Sequence, residues 1–411
     1  MKIDLFAMPA VPASLEERER LRPIGRSTER YQMMLEELRH LAIAADQLGI
    51  DAFSTTEHHF HTEGNELSVN PILLFADFAA RTKRIKFAPM SIVMTTANPI
   101  RVAEDLAILD QLTQGRVAVA FARGYQKRWM QVLGQGAPIA TGMGDEVDRQ
   151  NRERYDENVE ILLKAWTHDA FEHKGKYFQV PYPHDGIVGW GAPGYTRQFG
   201  AHGEIDDDDV IRKIGVCPRP FQEPHPPIWV PITGGMPSLL NCAKNGWLPW
   251  IWESDPAKFL MMCEEYRRVS AEHGRRFALG ENCGAVRAIT IGDTYDEAFA
   301  LAAQTTGHDY QEYFGRFGFL ELFRNPEDDP NRRPLLFDSY EAATQRMIEK
   351  GYQICGTVDQ VKRHFEKLVR CHGNGNLEWL SWNFFYQGTT PRHVQDRQLE
   401  LFATKIMPEF R

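Results

Sequence analysis

The run Asp110-Gln111-Leu112-Thr113-Gln114-Gly115-Arg116-Val117-Ala118-Val119-Ala120-Phe121-Ala122-Arg123-Gly124 decides the fold. Up to Leu112 its apolar positions follow a helical period. Gly115 breaks that period where a helix end needs a left-handed residue. From Arg116 to Ala122 the chain becomes small, apolar and β-branched, the composition of a buried strand. Just upstream, Met90-Ser91-Ile92-Val93-Met94-Thr95-Thr96-Ala97-Asn98-Pro99-Ile100-Arg101 carries a strand into a helix, with proline at a favoured first position. Strand, turn, helix, glycine, strand is the repeating unit of a parallel sheet covered by helices.

The same unit recurs on both sides. Residues 2–9, 52–59, 85–94 and 116–122 read as strands, separated by helical stretches at 31–48, 70–81 and 102–112. In the first helix Leu35, Leu38, Leu41, Ala45 and Leu48 share a face, and Gly49 stops it. After a break, strands at 227–232, 247–252, 285–291 and 377–385 alternate with helices at 258–273, 295–305 and 358–370, and a last helix runs to 407. A Rossmann sheet would offer a Gly-x-Gly-x-x-Gly after a strand, and none occurs. Eight units in 411 residues predict an α/β chain folded as a single-domain (β/α)8 TIM barrel with insertion loops at the C-terminal face. The surplus falls at about 125–150, 171–226 and 306–350. The 171–226 stretch, rich in Pro, Gly, His and aromatics, reads as a functional loop or lid. Its acidic run Asp206–Asp209 reads most simply as a solvated loop.

Composition narrows the class. There are 47 Lys and Arg against 56 Asp and Glu, a net charge of −9. This argues against binding nucleic acid over a broad basic surface. No apolar run approaches the roughly 20 residues needed to span a bilayer. The opening residues lack the pattern of a signal peptide. Six cysteines without a Cys-x-x-Cys pair fit free thiols in a reducing cytoplasm. The expectation is a cytoplasmic enzyme.

In a barrel the chemistry belongs at the C-terminal ends of the strands. The second strand ends in Thr55-Thr56-Glu57-His58-His59-Phe60-His61. Three imidazoles and a carboxylate so close are costly to bury unless paired or used. His59 and His61 could share a zinc, since strand side chains repeat every two residues. The ends after the fifth and sixth strands offer no further His, so no metal is expected. Alternatively, His58 or His59 is a hydrogen-bonding or acid/base group beside an organic ligand, or these are ordinary loop histidines. Arg123 follows the fourth strand, where a guanidinium fork suits a phosphate, or caps a helix, or pairs with an acid. Gly124 would let the backbone approach a ligand. Thr233-Gly234-Gly235-Met236-Pro237-Ser238 opens a helix and exposes backbone N–H groups to an anion, though such turns are also ordinary connections.

From Thr55 to Gly124 the chain resembles the bacterial-luciferase-like family of flavin-dependent monooxygenases. The resemblance rests on Glu57-His58-His59-Phe60, Ala97-Asn98-Pro99-Ile100-Arg101, Glu104-Asp105, Leu109-Asp110-Gln111-Leu112, and Gly115-Arg116 through Ala122-Arg123-Gly124. It continues in Pro227-Ile228-Trp229-Val230, Gly356-Thr357-Val358-Asp359-Gln360-Val361 and Ile406-Met407-Pro408-Glu409-Phe410. The resemblance implies a barrel using FMN in its reduced form, FMNH2, supplied by a separate NAD(P)H:flavin reductase. Reaction with O2 would pass through a flavin C4a-peroxide and oxygenate a small hydrophobic substrate. His58 and Glu57 would be catalytic and lie beside the flavin ring. Arg123 would take the phosphate, with Gly234, Gly235 and Ser238 helping through backbone donors. Met90 and Ser91 would flank the flavin across a non-proline cis peptide. Ala122 stands where some members carry a reactive cysteine, so thiol stabilisation of the flavin adduct is not expected.

Phe60, Tyr125, Trp250 and Trp252 are read as an apolar wall of the substrate pocket, or else as core packing. Relatives are commonly dimers, and the second and third barrel helices are candidate contacts of a homodimer. Alternatives are an F420-dependent oxidoreductase on the same barrel, a metal-dependent barrel hydrolase, and a silent flavin-binding subunit.

Overall fold

A computed structural model describes the chain except for residues 141–143, 234, 374, 385–387 and 389 and the side chain of residue 372. The described residues form two compact units, one of Met1–Pro71, Ala80–Met90 and Ile228–Arg411, the other of Ile72–Ala79 and Ser91–Pro227.

The first unit carries β1 (Lys2–Ala7), β2 (Ala52–Thr56) and β3 (Lys86–Met90). In the second unit follow β4 (Ile92–Val93), β5 (Val119–Ala122), β6 (His173–Lys174) and β7 (Gln179–Val180). The chain then returns to the first unit with β8 (Ile228–Ile232), β9 (Leu248–Ile251), β10 (Gly284–Ile291), β11 (Gln353–Gly356) and β12 (Trp379–Phe384). In the first unit the strands lie in the order β3-β2-β1-β12-β10-β9-β8, all parallel. The eight residues of β10 are all buried. The first four pair with β12, and the last four take β11 as partner. In the second unit β4 and β5 pair in parallel, and β6 and β7 form an antiparallel pair. Strand and helix alternate as in a (β/α)8 barrel, the expected fold class.

Local chemistry explains the boundaries. Asn98 accepts hydrogen bonds from the amides of Ile100 and Arg101 and caps the helix Pro99–Thr113, an arrangement contributing about 1 kcal/mol. That helix closes through Gln114 and Gly115, both left-handed at φ 54° and 86°. Ser27 caps the helix Thr28–Leu48, and Gly49 ends it at φ 81°. Asp46, on its last turn, accepts from the amides of Lys83, Arg84 and Ile85 and so fixes the entry to β3.

The third predicted strand is interrupted: Ser91 takes φ 69° between β3 and β4. The cis peptide bonds of the described residues all precede proline, so the expected cis bond between Met90 and Ser91 is absent. β11 was not expected, because four residues between two helices show no period. The 171–226 segment contains the β6–β7 pair and the helix Pro193–Phe199. Within it the acidic run is tied down, Asp206 by Arg212 and Asp209 by Arg197. All six cysteines are free thiols. Among the described residues no helix is long and apolar enough to cross a membrane.

Candidate functional site

The chain leaving β2 folds back as a loop before the helix Pro71–Ala79. Backbone and side-chain bonds pin it: the Val11 amide to Gly64 O, the Gly25 amide to Thr62 O, the Leu67 amide to Pro9 O and the Arg18 guanidinium to Glu63 O. Inside this loop lies a buried polar chain. Thr56 Oγ1 is 2.8 Å from His58 Nδ1, and His58 Nε2 is 3.3 Å from Glu66 Oε1. Tyr313 Oη donates to Glu66 Oε2 at 2.9 Å and stands 2.5 Å from His61 Nδ1. The side chains of His58, Glu66 and His61 are 7, 1 and 0% exposed.

Burial drives the His58 pKa down to about 3; Glu57 opposes the shift and His59 adds to it. The ring is therefore neutral at physiological pH. A proton donated by Thr56 to Nδ1 leaves Nε2 as the N–H that faces Glu66. Nδ1 is thus engaged by Thr56, while Nε2 faces the Glu66 carboxylate. Glu57 meets His59, Oε1 to Nε2 at 3.0 Å. Two residues of this loop are left-handed without being glycine, Phe60 at φ 65° and Glu66 at φ 48°. Such a conformation costs about 1–2 kcal/mol for an L-residue and clusters at functional sites.

A cavity of about 950 Å³ opens beside this chain. Glu66 and Tyr313 line it, together with apolar Met8, Ile24, Phe314 and Phe317 and charged Arg18, Glu63, Asp309 and Arg316. The neighbouring His308 bonds Asp309 at 3.0 Å. That bond raises the His308 pKa, while burial raises that of Asp309.

The predicted aromatic wall is distributed differently. Trp250 is fully buried and packs edge-on against Trp229 and Trp379, at 5.2 and 6.0 Å between centroids. Trp250 pairs in register with Gly284, and Trp379 with Lys2, the first residues of β10 and β1. The cluster thus sits toward the strand starts, and core packing is the correct reading for Trp250. Trp252, just past β9, is buried against Phe6 at 6.0 Å. Phe60 is exposed. None of the three lines the cavity.

At the start of the helix Met236–Asn245, Gly235 is the cap residue and supplies no side-chain cap bond. A Cβ there would meet only Ser238 Oγ and Pro237 Cδ, at 3.7 and 4.0 Å. First-turn amides without a side-chain cap suit an anion such as a phosphate. The Ser238 amide already bonds Gly235 O at 3.1 Å. Gly234 lies outside the described residues.

In the second unit Arg123 is one-fifth exposed, its Nη1 3.0 Å from Asp148 Oδ1. Asn151 Nδ2 bonds Arg123 O and Pro138 O, and Asn158 Nδ2 bonds Met94 O. One face of the helix Glu146–Thr167 thus fixes the chain after β4 and β5. Gly124, at φ 75°, could not carry a side chain: a Cβ would meet Met130 Sδ at 2.2 Å and Val93 Cγ1 at 2.7 Å. The space is filled by packing rather than kept for a ligand. Tyr125 Oη accepts from Gln126 Nε2, whose Oε1 accepts from Trp129 Nε1.

Residues 1–374 match the family model described as luciferase-like monooxygenase. The chain belongs to that family. It is an enzyme, and its relatives are flavin-dependent monooxygenases. It is 32% identical over 385 residues to the alkanal monooxygenase alpha chain of Photorhabdus laumondii, covering 91% of this chain and 92% of the relative. It is 25% identical over 200 residues to the oxygenase component of the flavin-dependent trigonelline monooxygenase of Acinetobacter baylyi, 48% of this chain and 43% of that one. Among solved structures, the oxygenating constituent of 3,6-diketocamphane monooxygenase from Pseudomonas putida, in complex with FMN, superposes with a TM-score of 0.71. That likeness, at 20% identity over 100% of this chain and 99% of the other, is one of fold.

Of the family residues, His58 stands at the centre of the buried chain, while Glu57 stands at its margin. Glu66, Tyr313 and Asp148 were not foreseen. The sequence offers His61 only as a zinc partner of His59. Among the described residues no group of three or more His, Cys, Asp or Glu is arranged to hold a metal ion.

Proposed function

We propose that the chain is the oxygenase component of a two-component monooxygenase. It would take reduced FMN from a separate NAD(P)H:flavin reductase and use O2 to oxygenate a small organic substrate with an apolar body. The observation that carries this reading is the neutral, buried His58 coupled to Glu66 beside a large cavity, in a chain of this family.

The bound flavin would supply the reducing electrons and the site at which O2 reacts. In the second unit Arg123 offers a guanidinium that fits the flavin's phosphate. Arg123 would then exchange or share its Asp148 partner with the phosphate. His58, neutral, hydrogen-bonded to Thr56 through Nδ1 and facing Glu66 with Nε2, would hold a proton in a dry setting and keep solvent water out of that corner. Met8, Ile24, Phe314 and Phe317 would desolvate the substrate body, and a cavity of about 950 Å³ is within the range of small-molecule sites. The enzyme would act as a homodimer in the cytoplasm.

The test is product profiling by mass spectrometry with a flavin reductase, NADH, FMN and O2 over aldehydes, cyclic ketones, terpenes and sulfonates. Incorporation of one atom of ¹⁸O₂ into a product is the expected result. Turnover with reduced F420 but none with reduced FMN would replace this reading with a deazaflavin oxidoreductase.

A further inference from the structure

The family motif supplies His58, and the buried polar chain runs beyond it. It continues through Glu66 to a phenol on the cavity wall. We propose that Tyr313 and Glu66 form an acid/base pair that exchanges a proton with the occupant of the cavity, Tyr313 at the wall and Glu66 behind it. The proposal rests on the reading that the cavity takes the substrate.

Three observations converge. Glu66 is a carboxylate almost wholly removed from solvent, and it sits at φ 48°, in a backbone conformation a glutamate rarely adopts. A buried carboxylate is retained where it is paired and used. Its two oxygens face different partners: Oε1 looks to His58 Nε2 at 3.3 Å, and Oε2 accepts from Tyr313 Oη at 2.9 Å. Tyr313 comes from the 306–350 insertion, 247 residues further along the chain, and both it and Glu66 contribute to the wall of the cavity.

The donor and acceptor inventory allows two states differing by one proton. In the first, Glu66 is ionised, faces His58 Nε2 with Oε1 and accepts the Tyr313 O–H at Oε2, while His61 Nδ1–H donates to the Tyr313 oxygen. In the second, Glu66 is a carboxylic acid whose O–H donates to the Tyr313 oxygen beside the His61 Nδ1–H, and the phenol turns its hydrogen to the cavity. To pass from the first to the second, an acidic group in the cavity gives a proton to the Tyr313 oxygen as the phenolic proton moves to Glu66 Oε2. Tyr313 gains one proton and loses one, and the net proton rests on Glu66. The reverse passage protonates a basic oxygen in the cavity. His61 is the positioning residue of the pair: its Nδ1–H is held on the Tyr313 oxygen in both states.

The decisive variant is Tyr313→Phe, which keeps the ring packed edge-on against Phe314 and Phe317 at 5.1 and 5.2 Å and removes only the hydroxyl. Two readouts are taken. In the protein without flavin, labelled with ¹⁵N-histidine, long-range ¹H–¹⁵N spectra should show the His61 Nδ1 resonance displaced in Tyr313→Phe and in Glu66→Gln, with Glu66→Asp closer to the parent. In turnover with reduced FMN, Tyr313→Phe should lower kcat by about 10²- to 10⁴-fold with KM changed by less than about threefold, the span of a lost acid/base group. Glu66→Asp should recover part of that loss where Glu66→Gln does not. An unchanged kcat in Tyr313→Phe overturns the acid/base role, and an unchanged His61 resonance overturns the pairing itself. A parent enzyme that makes no product overturns the flavin reading instead, and the histidine spectra, which need no flavin, still decide the pair.

Discussion

Glu66 Oε1 lies 3.3 Å from His58 Nε2, with neither side chain more than 7% exposed. A carboxylate facing an imidazole would ordinarily favour the imidazolium, yet burial dominates and holds His58 neutral. The family histidine is therefore a hydrogen-bonded, desolvated group rather than a solvent-exposed base. His58→Ala is expected to leave FMN binding within about threefold, because no phosphate donor is touched. Product formation should fall by about 10²- to 10⁴-fold, with hydrogen peroxide released in its place. The ratio of peroxide to oxygenated product per reduced flavin checks this, and an unchanged ratio would remove His58 from the chemistry.

Two buried groups give stability opposite slopes in acid. His58 has its pKa depressed to about 3, so its contribution is present above the ordinary histidine value and is lost as pH falls through the acid range. Asp4 is the reverse case. It is fully buried in β1 and accepts from Ser54 and Ser381 hydroxyls at 2.8 and 2.7 Å, yet burial raises its pKa to about 6. Its protonated form is favoured by folding, so its contribution is complete below about pH 4 and is lost as pH rises toward 6. The loss is about 3 kcal/mol. In Asp4→Asn this component disappears. Urea unfolding of the parent and the variant at pH 4, 5, 6 and 7 should give a stability difference that moves in favour of Asn by about 3 kcal/mol across the series. A constant difference would show that Asp4 does not titrate in that window.

The parts of the molecule legible in the sequence are those whose cause is local. Asn98-Pro99 and Gly115 bracket a helix through capping and left-handed geometry that involve a few neighbouring residues, and the helix forms at Pro99–Thr113. The eight principal strands likewise follow from short apolar runs between glycines and caps. The polar chain is another matter. Glu66 and Tyr313 are 247 residues apart, and neither stands in a motif, because a contact between a β2 loop and a late insertion leaves no periodic trace. Asp148 was hidden for the same reason: on a helix rich in charge, nothing local singles out the carboxylate that meets Arg123. The aromatic residues leave two readings open in the sequence because large rings are equally at home in a core, and the structure packs Trp250 against Trp229 and Trp379.

Arg123 is expected to discriminate FMN from riboflavin. Its guanidinium is one-fifth exposed and already paired with Asp148, so a phosphate would meet an oriented cation rather than a mobile one. A charge-assisted hydrogen bond contributes about 1.5–3 kcal/mol. Arg123→Met should therefore weaken reduced FMN by about 10- to 100-fold while leaving riboflavin, which has no phosphate, within about twofold. Anaerobic titrations followed by flavin absorbance measure both. Equal weakening of the two flavins would mean that Arg123 acts through the fold instead of through the phosphate.

Trp250 separates core from pocket. The ring fills the space over Gly284, where even a methyl group would approach Trp250 Cε3 to 2.3 Å, and it meets Trp229 and Trp379 edge-on. Removing a buried indole of this kind costs about 3–5 kcal/mol, from lost contacts and from the cavity left behind. Trp250→Ala should thus lower the midpoint of urea unfolding sharply. At a temperature where the variant is folded, KM for substrate should stay within about twofold, since Trp250 does not border the large cavity. Gly284→Ala, which forces a methyl into the same ring, should destabilise by about 1–3 kcal/mol with the same indifference in KM. A variant of either kind with parental stability but a KM raised tenfold or more would return Trp250 to the substrate wall.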